Sequence, residues 1–251
     1  MNFRYLLVLI AALLAIVWIR TASNRHRIVS AHVINMDESV DRLRDFQTRA
    51  AEAGLDVIRW AGVNGAKLTL TEAEAKGIPR EIFETYEQEK GVLGCYLAHK
   101  TLLEKLCAMN CNPMDVHLIF EDDALIPADF RQKWETTCGL LPSNWEGIHL
   151  GVSRPRVRYY RGHMNVASGE NGNWGTFAYA IRHGALHKIC KDLATMRGPV
   201  DVHFQQKMSV WRWFICYPEV VPHDYEYKSN TTGHFYDAKD ILASKILKPS
   251  L

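Results

Sequence analysis

The chain has 251 residues, 47% of them hydrophobic and 23% charged, with 30 Lys plus Arg against 28 Asp plus Glu. Those values exclude a disordered, collagenous or coiled-coil chain, and a net charge of +2 gives no electrostatic case for nucleic acid as the main partner. A chain of this length buries roughly 70–75% of the surface its unfolded form exposes, so it needs no disulfide or metal staple to fold.

The N-terminus is the most apolar part. Tyr5 to Ile19 contains no charge and is flanked by Arg4 and Arg20. As a helix it would be about 22 Å long, short of the roughly 30 Å hydrocarbon core. Arginine side chains can snorkel from both ends, and Trp18 and Tyr5 suit the interface. An uncleaved single-pass anchor over residues 1–27 is the expectation, with a membrane location and the side of the membrane open. A cleaved signal peptide and a buried helix are the rivals. Asn230-Thr231-Thr232 is a glycosylation sequon, a weak pointer to a lumenal domain.

From Arg27 onward short apolar runs alternate with helical stretches, the pattern of an α/β layer fold. Strands are predicted at 27–35, 57–61, 116–120, 147–152, 176–181 and 214–217. Helices are predicted at 39–53, 91–109, 127–140 and 185–196, with Thr71 to Glu74 as a capping box opening a short one. Ser168 to Gly175 is too polar and glycine-rich for either element and reads as a mobile loop. The six cysteines (Cys95, Cys107, Cys111, Cys138, Cys190, Cys216) form no CxxC pair, so neither a zinc ribbon nor a thioredoxin motif is supported. Buried free thiols are the expected reading, with Cys107 and Cys111 four apart on a predicted helix.

Ligands of open α/β sheets sit beyond the carboxyl ends of the strands. The apolar run VHLIF is followed there by Glu121-Asp122-Asp123. Three consecutive carboxylates repel one another and need an offset. One offset is capping of the next helix. The other is a hard divalent cation, for which Glu121 and Asp123 would point the same way if the strand continued. Such an ion commonly also binds phosphates, and no P-loop or GxGxxG is present to do so. Asp201, before a predicted helix, is either an N-cap or a base positioned to accept a proton from an attacking hydroxyl. Asn35, Asp37 and Arg42 follow the first strand and would either read a uracil or ribose or cap the next helix. His99 is a helix histidine, His183 and His187 are read as surface residues, and His223 is a candidate metal ligand from the far side of the site.

The ordered segments VINMDESVDRLRDF, WAGVNG, GVLGCYLAHKTLLEKL, LIFEDDALIPADF, NWGTFAYAIRHGA, PVDVHF and YPEVVPHDYEY resemble glycosyltransferase family 25 from about Ile28 to Tyr227. Departures are Met36 for the usual Leu and His183 where a basic residue often stands. The resemblance implies a glycosyltransferase A-type (Rossmann-like) mixed sheet flanked by helices, forming one domain over residues 28–251. It also implies a UDP-sugar donor, Mn²⁺ or another divalent cation, and an acidic metal motif. In that reading Glu121, Asp123 and His223 hold the metal and Asp201 is catalytic. The donor meets Asn35, Asp37, Arg42, Asn64, His99, Glu121, Asp122, Trp174, Gly175, Thr176 and Tyr179, with Trp174 and Tyr179 stacking on a sugar. The expected activity is inverting transfer of a hexose, galactose by resemblance, to a glycan, lipid-linked sugar or hydroxylysine hydroxyl. The alternatives are a catalytically silent sugar- or nucleotide-binding domain and a metal-dependent phosphohydrolase.

Overall fold

A computed structural model of the chain describes residues 26–153, 157–160, 164–167 and 174–224, with 157–160 and 164–167 as backbone alone. The apolar stretch 5–19, positions 168–173 of the predicted loop, the Asn230 sequon and residues 225–227 of the last family segment lie outside the described residues. No helix among the described residues is long and apolar enough to cross a membrane. That corrects the expected single-pass membrane location, whose only support was the stretch at 5–19.

Among the described residues the strands form one sheet of eight. They are β1 (Ile28–Asn35), β2 (Ile58–Ala61), β3 (Val116–Glu121), β4 (Gly147–His149), β5 (Val157–Tyr160), β6 (Met164–Ala167), β7 (Ala178–Arg182) and β8 (Trp213–Cys216), in spatial order β2-β1-β3-β7-β4-β8-β6-β5. β2, β1 and β3 run parallel, β7 runs against β3 and β4, and β8 is parallel to β4. The hairpin of β5 and β6 joins through the antiparallel pairing of β6 with β8. The mixed sheet expected from the sequence is therefore present. The β5–β6 hairpin was not anticipated.

Helices cover both faces. On one side α1 (Val40–Glu52) and α5 (Phe130–Leu140) pack Phe46, Ala50, Phe130 and Trp134 against Val33, Leu118, Phe120 and Ala180. On the other lie α2 (Leu70–Ala75), α3 (Arg80–Thr85), α4 (Lys90–Cys107), α6 (His183–Asp192) and α7 (Val200–Lys207). α4 is the central element of that layer. Its Leu93, Leu97, Leu102, Leu103 and Leu106 are buried, each burial stabilising the fold by about 1.5–3 kcal/mol.

Helix starts differ from expectation for local reasons. The capping box is Thr69–Glu72, two residues before the predicted one, because the Thr69 hydroxyl accepts from the Glu72 amide and Glu72 accepts from the Thr69 amide. α6 begins at His183 because its first amides find partners in the loop before β3: His183 N–H donates to the Asp115 carbonyl and Gly184 N–H to that of Pro113. Cys111 lies beyond the end of α4, and all six cysteines are free thiols.

Candidate active site

A cleft of about 240 Å³ opens beyond the carboxyl ends of β1 and β3. Its floor is a close crossing of the segment after β2 with the first turns of α4. A Cβ on Gly65 would lie 1.7 Å from the Lys90 carbonyl oxygen, and one on Gly94 2.1 Å from that of Val63. Only glycine permits that approach. Asn64 lines the cleft and caps the short 3-10 turn Gly65–Lys67, its Oδ1 accepting from the Ala66 amide at 3.0 Å.

The three carboxylates at the end of β3 each meet a different set of partners. Glu121, the last strand residue, faces α4: its Oε1 accepts from the Thr176 hydroxyl at 2.8 Å and lies 3.3 Å from His99 Nε2. His99 Nδ1 lies 3.0 Å from the Tyr179 hydroxyl, so a buried line runs Tyr179–His99–Glu121. Burial pushes the Glu121 carboxyl upward, but the His99 and Thr176 contacts outweigh it and hold it below the usual range.

Asp122 faces the α1 side. It accepts from Arg42 and, at 2.7 Å, from Asn35 Nδ2. Burial still raises its pKa to about 6 against the pull of Arg42. Asp123 lies past the strand end, where the Ala124 amide turns back onto the Glu121 carbonyl. Its Oδ2 is 3.1 Å from His223 Nε2 and 3.4 Å from Arg42 Nη2, while its Oδ1 is buried without a hydrogen-bond partner. A bridge between Ala124 and His223 and the Asp224 amide on the Asp123 carbonyl (2.8 Å) fix that encounter. Burial alone would depress His223; the Asp123 contact raises it overall.

Residues 29–146 match the family model described as glycosyltransferase family 25 (LPS biosynthesis protein). This stretch of the chain is similar to glycosyltransferase family 25. The match runs from β1 to just before β4 and includes Arg42, Asn64, His99 and the three carboxylates; Thr176, Asp201 and His223 lie beyond it. The family supports a glycosyltransferase, with a sugar donor and a carbohydrate acceptor. No curated protein matches the chain.

At this site several sequence expectations change. Glu121 and Asp123 do not point the same way, because the strand ends between them. The expected trio Glu121, Asp123 and His223 is therefore split: Asp123 pairs with His223, while Glu121 has ligand-type atoms within 4.8 Å of those of Cys95 and His99. Asn35 does not line the cleft. Both its amide protons are spent on Asp122 and the Ser39 carbonyl, and its oxygen accepts from Arg59 Nε at 2.9 Å. Its role is to orient Asp122. Asp37, 82% exposed, is paired with Arg59 outside the cleft. Tyr179 is fully buried under the sheet and holds His99, so it cannot stack on a sugar. Trp174, 38% exposed, directly precedes the cleft-lining Gly175.

Asp201 sits in the first turn of α7, one residue after the start, and the N-cap is Pro199. Its carboxylate instead accepts from the Gly175 amide at 3.2 Å and the Val202 amide at 2.8 Å. Burial raises its pKa despite those donors. Gly175, with φ of +93°, and Thr176 line the cleft, so Asp201 anchors the segment that forms one wall. Sequence reasoning missed the cleft-lining Glu38, Gly62, Gly91, Gly94 and Cys95. The close glycine spacing in WAGVNG and GVLGCY was the available signal.

Proposed function

We propose that this domain transfers a hexose from a UDP-sugar to an acceptor hydroxyl by single displacement with inversion. The observation that carries the reading is the pairing of Asp123 with His223 at the mouth of the cleft, with one buried Asp123 oxygen left unpartnered. A carboxylate oxygen and an imidazole nitrogen fit a divalent cation such as Mn²⁺, and the orphaned Oδ1 is the donor such an ion would satisfy. When bound, the ion supplies Lewis-acid stabilisation of charge on the departing diphosphate. Asp122, held by Arg42 and Asn35, serves to fix the position of its neighbours.

Asp123 and His223 would hold the ion, and Arg42 places a cation beside the same carboxylates. Asn64, Glu38 and the glycine floor would receive the nucleoside and donor sugar. Trp174 would stack on a sugar at the rim. Asp201 would accept the acceptor's proton: its carboxylate is bonded to the amide of the cleft-lining Gly175, and burial makes it a stronger base than an exposed aspartate. Galactose as the hexose, and a glycan, lipid-linked sugar or hydroxylysine as acceptor, rest on the sequence resemblance and stand as part of this proposal.

The test is release of UDP from a panel of UDP-sugars with Mn²⁺, with and without chelator. Release abolished by the chelator and by Asp123→Asn is expected; release of inorganic phosphate instead of UDP would mark a phosphohydrolase. Asp201→Asn should lower turnover by about 10²–10⁴-fold while UDP affinity with Mn²⁺ stays within a few-fold. Unchanged turnover would remove Asp201 from the chemistry. A product that keeps the α-linkage of the donor would exclude single displacement.

A further inference from the structure

A second cluster of ligand-type side chains lies at the opposite end of β3. His117, the second residue of the strand, is fully buried, and its Nε2 is 3.1 Å from Nδ1 of His183, the first residue of α6. Ligand atoms of Cys111, His117 and His183 all lie within 4.8 Å of one another. We infer that Cys111, His117 and His183 form a binding site for a borderline-soft divalent cation, Zn²⁺ by chemical class, separate from the cleft and not assigned by the family reading.

Three features carry this. First, the donor set is one thiol and two imidazoles, the chemistry that suits Zn²⁺ and is unsuited to Mg²⁺ or Ca²⁺. Tetrahedral zinc needs nitrogen and sulfur ligands about 3.3–3.6 Å apart. The two imidazole nitrogens already stand near that spacing, and the thiol, within 4.8 Å of both, needs to move by roughly an ångström at most. Second, the ring nitrogen of His117 that does not face the cluster is 2.7 Å from the Ser30 hydroxyl across the β1–β3 pair. Zinc-binding histidines almost always donate their other ring N–H to such a partner, which fixes the ring and its tautomer. Third, the three ligands come from segments already bound together. The amides of His183 and Gly184 donate to the carbonyls of Asp115 and Pro113, and Asp115 is held by Arg27 through two hydrogen bonds of 3.0 and 2.8 Å.

The binding step balances simply. The Cys111 thiol loses its proton to solvent, and the proton between the two facing imidazole nitrogens moves to the far nitrogen of its own ring, so that both histidines bind neutral through the nitrogens that now face each other. Water completes the fourth position. His183 is thus no plain surface histidine, and Cys111, half-exposed just after α4, is reachable from solvent.

The test uses the full chain, first stripped with chelator and then titrated with Co²⁺ and Zn²⁺. Tetrahedral Co²⁺ should show a thiolate charge-transfer band that Zn²⁺ displaces. Cys111→Ser and His183→Ala should abolish the band, while Cys95→Ser and His223→Ala should leave it intact. Ser30→Ala should weaken metal affinity by about 10–100-fold. No band in the unsubstituted protein, or a band that survives Cys111→Ser, overturns the inference. Loss in Cys95→Ser alone would move the metal to the cleft and overturns it equally. Should a variant fail to fold, alkylation of the unsubstituted protein decides: Zn²⁺ must slow modification of Cys111 specifically, and an unchanged rate overturns the site.

Discussion

β3 ends in a polar cluster on both sides, and the two clusters are built on opposite electrostatics. At its carboxyl end Glu121, Asp122 and Asp123 are gathered with one guanidinium, Arg42, and two imidazoles, His99 and His223. At its amino end the cluster of His117, Ser30, His183 and Cys111 includes no carboxylate, and the nearby Asp115 is already paired to Arg27. The carboxyl end opens into a cleft because the connections leaving β1, β2 and β3 diverge there. The amino end is closed by backbone hydrogen bonds between the loop before β3 and α6. One strand therefore presents a hard, carboxylate-rich site to solvent and a soft thiol–imidazole site to its own scaffold.

If that contrast is right, the carboxyl end is the more fragile. Arg42 touches both Asp122 and Asp123, and all three are buried. Removing one partner of a buried ion pair leaves an uncompensated charge, so Arg42→Ala should cost about 3–5 kcal/mol in urea unfolding at neutral pH. Arg42→Lys should restore only part of it, since an ammonium cannot match the planar fork. A loss below about 1 kcal/mol would mean that Asp122 takes up a proton instead, as its raised pKa of about 6 allows.

A smaller effect is expected at the floor of the same cleft. Gly94→Ala would drive a methyl against the Val63 carbonyl and the Gly65 amide, both backbone atoms that cannot rotate away. The crossing must open, with an overpacking cost of about 1–3 kcal/mol. UDP affinity should fall with it, because Asn64 and Ala66 shift as a unit. Thermal melting and calorimetric UDP titration together check this; a stable variant with native UDP affinity would show that the floor does not shape the donor site.

How far these clusters could be read from the sequence depends on how far apart their members lie. β1, β2 and β3 were placed to within a residue because their apolar runs end in polar residues, and Glu121-Asp122-Asp123 was found because it is contiguous. The partners were not legible. Tyr179 was expected on a sugar, yet the antiparallel pairing of Ile119 with Tyr179 turns its ring toward α4, and no local pattern encodes that register. Asn35 and Asp37 were both expected at the donor; the side-chain bonds of Asn35 to Asp122 and Arg59 decide otherwise, across 87 and 24 residues. His117 and His183 are 66 residues apart, so their contact appears only once β3 and α6 are docked.

The smallest expected effect lies at the amino end and is the sharpest check on the comparison. In chelator-treated protein His183→Ala removes one imidazole–imidazole hydrogen bond to His117 and leaves the backbone bond from residue 183 to Asp115 intact. His183 is half-exposed, so little packing goes with it, and the loss should be about 0.5–1.5 kcal/mol. Zinc should then separate the two proteins further. A ligand held only by the folded state at about 100 times its dissociation constant adds roughly 2.7 kcal/mol, and the variant should gain none of it. Urea unfolding of both proteins with chelator and with Zn²⁺ gives all four values. If His183→Ala costs as much as Arg42→Ala before any metal is added, the amino-end cluster carries charge in the folded protein, and the contrast between the two ends of β3 fails. If the metal-free cost is small but zinc stabilises both proteins equally, the ends differ as described, yet the ion binds elsewhere.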